Sequence, residues 1–154
     1  MTAEHLSRED FRLLTPEAFE FVLNNELKRA VRSQTFLTLV LLGSAAAASE
    51  PAALRELASV VSRELRETDL ISATPEGRLS VVLLDADLQS SLRVIDRLVA
   101  GLQPYRFSTP MDLAVGAACC PTHGADAASL RRVAEAHPIR PIANPRDAAS
   151  AQQG

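Results

Sequence analysis

Arg66 and Asp69, in the run Arg66-Glu67-Thr68-Asp69, are the pair whose types and spacing could do chemistry. A guanidinium can make paired hydrogen bonds to an oxyanion, and a carboxylate can accept them. The plain alternative is a surface ion pair or helix-end charge, which the same four residues would also give. Other reactive types are poorly placed. His5, His123 and His137 fall in a tail, a turn and a helix end, with no set of carboxylates or cysteines at ligand spacing, so no metal site is expected. Ser44 and Ser80 have no His or acid nearby in sequence. Cys119 and Cys120 are adjacent, so on a strand they face opposite ways and cannot share a disulfide or a metal; they read as small buried hydrophobes. Arg131 and Arg132 read as a solvated helix face.

The elements that must carry these residues follow from periodicity. Thr15-Pro16-Glu17 opens a helix with a cap, a first-turn proline and an early acid, and Phe19, Val22, Leu23, Leu27, Ala30 and Val31 recur at helical spacing. The run 35–42 is almost wholly apolar and predicts a central strand covered on both faces. After an alanine stretch at 44–49, Pro51 begins a second helix that ends near Arg66. Strands over 69–73 and 79–84 are joined by Thr74-Pro75-Glu76-Gly77-Arg78, a connection of hairpin length. Asp85-Ala86-Asp87 caps a third helix that runs to Leu102. A strand over 111–120 and a last helix over 125–136 follow, stopped by Pro138 and Pro141. Alternating helices and strands predict an α/β fold, a mixed central sheet of about five strands flanked by helices. With 154 residues, 47% of them hydrophobic, the chain fits one domain. We place an extension at 1–13, the domain at 14–142 and a disordered tail at 143–154. A net charge of −3 with interspersed signs provides no basic stripe for nucleic acid. The longest apolar run, 36–48, is too short to span a membrane, and the charged N-terminus is unlike a secretory signal, which points to the cytoplasm.

Three stretches make the chain resemble the GGDEF (diguanylate cyclase) domain. The helix from Leu54 ending in Arg66-x-x-Asp69-Leu70 is similar to the family's R-x-x-D pattern. Pro75-Glu76-Gly77-Arg78-Leu79 and the apolar strand after it stand where the signature loop and its strand belong. Ala114-Val115-Gly116-Ala117-Ala118 with Pro121, Gly124, Asp126 and Leu130-Arg131-Arg132 resembles the family's S-I-G-V-A strand, P-x-x-G turn and final helix. Leu70 to Thr74 separate Asp69 from Pro75, a register that needs no gap.

The resemblance implies a degenerate member. Diguanylate cyclases join two GTP molecules by attack of a 3'-hydroxyl on an α-phosphorus, which requires divalent ions on oxygen ligands and backbone able to approach phosphates. On this mapping the metal-binding aspartate falls on Gly43 and a second aspartate on Ala45. The signature glycines become Pro75 and Glu76, its acids become Gly77 and Arg78, and only Leu79 keeps the character of the Phe. Glu76 would repel phosphates, and Pro75 removes a backbone donor. The guanine-binding segment is compressed into 43–49, and 137–141 breaks the helix that would carry the family's Tyr-x-x-Lys. The expectation is a noncatalytic GGDEF-like signalling module, with no catalytic residues, metal or required cofactor, acting through a protein partner or as a homodimer. Its alternative is a cyclic di-GMP receptor using Arg66 and Asp69 for phosphate and guanine. A diguanylate cyclase with an atypical site stands third.

Overall fold

The computed structural model describes residues 13–136 and the backbone of 138–142. The expected disordered tail at 143–154 and the first twelve residues of the expected extension lie outside the described residues. Leu13, counted with that extension, belongs to the sheet: β1 (Leu13–Leu14) pairs in parallel with β3 (Leu70–Ala73).

Helix α1 (Pro16–Ser33) starts as its sequence dictates. Thr15 Oγ1 accepts the Ala18 N–H at 3.1 Å, and Gln34 in the left-handed region closes the other end. Phe19, Leu23, Leu27 and Ala30 form its buried stripe. Each of the three large side chains contributes about 1.5–3 kcal/mol by leaving water. Val31 departs from the expected stripe and is 53% exposed, because it lies one residue, about 100° of rotation, beyond Ala30. Strand β2 (Leu37–Gly43) is buried on both faces. The alanine stretch, given no element from its sequence, is a short helix, α2 (Ala45–Ser49), since Ser44 caps it and alanine has the highest helix propensity. Then come α3 (Pro51–Ser62), β3, β4 (Leu79–Leu84), α4 (Leu88–Leu102), β5 (Leu113–Cys120), α5 (Ala127–Ala136) and β6 (Pro138–Ile142).

The sheet has six strands in the order β1-β3-β4-β2-β5-β6. Among the described residues only the β1–β3 pair is parallel. The four strands placed from sequence are joined by two edge strands from the terminal segments, β1 and β6, in keeping with a mixed sheet of about five. Pro138 and Pro141 do follow the end of the last helix, but the chain then pairs with β5 as an edge, where a strand tolerates missing N–H donors. Helices α2, α3 and α4 cover one face, over a core that includes Leu42, Leu57, Leu79, Leu83 and Leu98. Helices α1 and α5 cover the other, over Leu37, Leu39, Leu41, Val82 and Cys120. The two cysteines face opposite sides as expected, and burial pushes the Cys120 thiol up, assisted by the neighbouring Cys119. A buried hydroxyl chain ties α4 to the sheet: Ser91 Oγ donates to Thr38 Oγ1 at 2.6 Å, and Thr38 Oγ1 donates to the Ala86 carbonyl at 3.2 Å. No helix among the described residues is long and apolar enough to cross a membrane.

Candidate functional site

The pairing of β2 with β4 creates the candidate site. Leu42 stands opposite Leu79, so Gly43 and Arg78, the next residues outward, meet at the end of the sheet. The β3–β4 connection is a tight turn in which the Thr74 N–H donates to the Arg78 carbonyl at 2.8 Å and the Arg78 N–H to Thr74 Oγ1 at 3.1 Å. Gly77 sits in it at φ +82°, a region that side chains disfavour. It is also pressed onto α2, where an added Cβ would collide with the Ala48 Cα. Hairpin and alanine helix therefore touch backbone to backbone. Leu79 turns into the core and is fully buried.

Arg78 crosses in front of Gly43. A Cβ at Gly43 would lie 3.1 Å from Arg78 Cγ, and the guanidinium continues to Glu135 on α5, with Nη1 3.6 Å from Oε1. Helix α5 can come this close because β5 carries Gly116, where any Cβ would collide with the Ala134 carbonyl. The Arg78–Glu135 bridge divides the space at the end of the sheet into two clefts. One, of about 410 Å³, lies over Gly43, Ser44 and Ala48. The other, of about 500 Å³, opens between the N-terminus of α1, the hairpin and α5. Both touch Leu41, Glu76, Arg78 and Glu135. Among the described residues no group of three or more His, Cys, Asp or Glu could hold a metal ion.

Arg66 and Asp69 lie at the other end of β4, about 17 Å from the hairpin at the usual strand rise. Asp69 is turned inward, its side chain 2% exposed. Its Oδ2 accepts the Arg66 N–H at 2.9 Å, and its Oδ1 accepts from Arg66 Nη2 at 3.2 Å. The same Nη2 donates to the Leu84 carbonyl at 2.8 Å. Arg66 itself keeps a side chain 57% exposed. The pair thus knits the α3–β3 corner to the end of β4.

Of the residues singled out from sequence, Gly43, Pro75, Glu76, Gly77 and Arg78 share one end of the sheet, and Arg66 and Asp69 are remote from them. His123 is used locally, its Nδ1 accepting the Cys119 N–H at 2.8 Å; His5 and His137 lie outside the described residues. Arg131, read as solvated, forms an ion pair with Glu20 across α1 and α5. Local spacing gives no sign of Glu135, and it leaves Glu20 merely on the solvent side of its helix, because the partner of each stands on a distant element. The described N-caps behave as ordinary helix starts. Hydrogen bonds from Ser90 and Ser129 hold the Asp87 and Asp126 carboxyls below the usual carboxylate range.

No protein-family model and no curated protein matches the chain by sequence. Solved structures do. The GGDEF domain of TpbB (YfiN) from Pseudomonas aeruginosa superimposes with a TM-score of 0.70 at 24% identity, over 91% of this chain and 95% of that one. The active GGEEF domain of a diguanylate cyclase from Vibrio cholerae gives 0.70 at 12% identity, over 80% and 87%. The diguanylate cyclase SiaD of Pseudomonas aeruginosa, solved with its activator SiaC, gives 0.65 at 20% identity, over 80% of this chain and 53% of that one. The six-stranded mixed sheet with helices on both faces is therefore the fold of a GGDEF domain.

Proposed function

We propose that this chain is a noncatalytic, cytoplasmic GGDEF-like signalling module that acts through contacts with a protein partner or a second copy of itself. The observation that carries the reading is Arg78. At the position where the resemblance puts the metal-binding aspartate stands Gly43, and the Arg78 side chain lies across it. A guanidinium there repels the divalent ions that phosphoryl transfer needs, and among the described residues no group of three or more His, Cys, Asp or Glu offsets it. The Gly77 turn is seated on Ala48, so hairpin and α2 meet backbone to backbone at that point, narrowing the approach to the cleft beside it. Pro75 and Glu76 in the same turn add a missing donor and a like charge toward phosphates.

The test is direct: incubate the protein with GTP and Mg2+, or Mn2+, and follow cyclic di-GMP by chromatography. No product is expected, and turnover would overturn the reading. Among proteins of the same fold, SiaD is held by an activator protein, which makes a protein partner the natural mode of action once catalysis is gone.

The exposed guanidinium of Arg66 favours a second reading, a cyclic di-GMP receptor. Asp69 contributes little to it while both its oxygens are occupied at the corner. Calorimetry with cyclic di-GMP separates the two readings: binding lost in Arg66→Ala establishes the receptor, and silence leaves the protein-contact module.

A further inference from the structure

The larger cleft has a charge balance and a floor that the reading above does not use. Its floor is where the α1/α5 core runs out along the sheet: Leu41 of β2, Ser72 of β3 and Ser80 of β4, with Phe19 as an apolar wall. Ser72 and Ser80 are opposite each other in the β3–β4 register. Ser72 is committed, its Oγ donating to the Leu14 carbonyl at 2.8 Å. Ser80 is 2% exposed and its hydroxyl has no hydrogen-bond partner among the described residues. That hydroxyl faces the cleft, where a ligand or a water can satisfy it.

Five charges line the walls, and four cancel in pairs. Arg131 meets Glu20, and Arg78 meets Glu135. Glu76 is left over, with no ion pair among the described residues. The positive end of α1, which also reaches the cleft, is already offset by the Thr15 cap and by Glu17 in the first turn. The cleft thus presents one uncompensated carboxylate at its rim, an apolar wall, and an open hydroxyl on its floor. Its volume, about 500 Å³, is within the range of small-molecule sites.

We propose that this cleft binds a small organic monocation, a primary ammonium or guanidinium on a short aliphatic arm. The cationic group pairs with Glu76, the arm lies against Leu41 and Phe19, and the ligand or the water it carries satisfies Ser80. A monocation fits because a second positive charge would find only carboxylates already paired. An anion would have to break Arg78 or Arg131 away from its carboxylate while meeting Glu76 with like charge.

The test uses butylamine and butylguanidine as probes, with butyrate and butanol as controls, titrated into isotopically labelled protein at low salt. Amide shifts in the 72–80 hairpin are followed by NMR. Saturable shifts for the two cations are expected, several-fold weaker in Glu76→Gln and about twofold weaker in Ser80→Ala, with neither control saturating. Glu76 is exposed in a turn, so its variant should retain the parent spectrum elsewhere; Ser80→Ala is judged the same way before titration. Saturation by butyrate, equal response to butanol, an unchanged cation affinity in Glu76→Gln, or no saturable shift would each overturn the proposal. None of these outcomes depends on whether GTP is turned over.

Discussion

Two arginine–carboxylate pairs stand at opposite ends of β4, and they are built on different physical terms. At the Leu84 end, Asp69 is nearly buried and accepts both the backbone N–H and the guanidinium of Arg66, which also reaches the Leu84 carbonyl. At the Leu79 end, Arg78 and Glu135 are each about half exposed, their nearest atoms are 3.6 Å apart, and no hydrogen bond joins them. The first pair is part of the corner that turns α3 into β3. The second is a contact between two elements that other packing already holds in place. An R-x-x-D spacing in sequence therefore marks a fold-bearing joint here, and the pair with no sequence signal lies over the cleft where a ligand would have to pass.

On that contrast, Asp69→Ala is the most damaging change. It removes the acceptor of two hydrogen bonds, one from a charged donor, and leaves the Arg66 N–H without its partner; a loss of about 2–3 kcal/mol in urea denaturation is expected. A loss below about 0.5 kcal/mol would reduce the corner to a surface ion pair. Arg66→Ala should cost less, about 1 kcal/mol, because the backbone N–H at position 66 still reaches Asp69 and only the bonds from the guanidinium disappear. Equal losses for the two would mean that the guanidinium, and not the backbone bond, holds the corner.

The same contrast explains what was legible in the sequence. Thr15-Pro16 fixed the start of α1, and the apolar runs of β2, β4 and β5 marked buried strands, because capping chemistry and periodicity act over a few residues. The union of Gly43 with the hairpin was within reach once β2 and β4 were paired in register. The alanine stretch concealed a helix because it carries no amphipathic period, and β1 and β6 are strands only because an edge was available for them. Asp69 illustrates the limit: its spacing from Arg66 is the same for a ligand site and for a buried joint, and only the arrival of the Leu84 carbonyl, eighteen residues away, distinguishes them. The Arg78–Glu135 bridge depends on α5 settling onto Gly116, a packing event with no local trace.

Acid should act on the fold through helix starts before it acts on either arginine's charge. Asp87 and Asp126 accept from Ser90 and Ser129 and are held below their ordinary value of 3.8. A carboxyl depressed in the folded state contributes stability that is complete above its unfolded value and lost as pH falls through the folded one. Stability should therefore be flat from pH 7 to about 5 and decline below about 4. In the double variant Asp87→Asn, Asp126→Asn, which keeps capping oxygens that do not titrate, the acid decline should be shallower. Denaturant midpoints measured at several pH values check this; an unchanged slope would remove the caps as its cause.

The smallest effect belongs to the bridge itself. Arg78→Ala, Glu135→Gln and their combination should each stay within about 0.5 kcal/mol of the parent, as exposed pairs do. Their coupling in a double-mutant cycle should vanish near 0.5 M salt, where the screening length falls to roughly 4 Å. The corner provides the control, since the Arg66–Asp69 coupling involves a carboxylate shielded from solvent and should persist in the same salt. A bridge coupling above about 1 kcal/mol would mean that Arg78 rests on Glu135 most of the time and the two clefts are mostly separate. A coupling near zero leaves the guanidinium free to swing from Glu135, so that the clefts at the end of the sheet can merge when a ligand or partner supplies a better carboxylate.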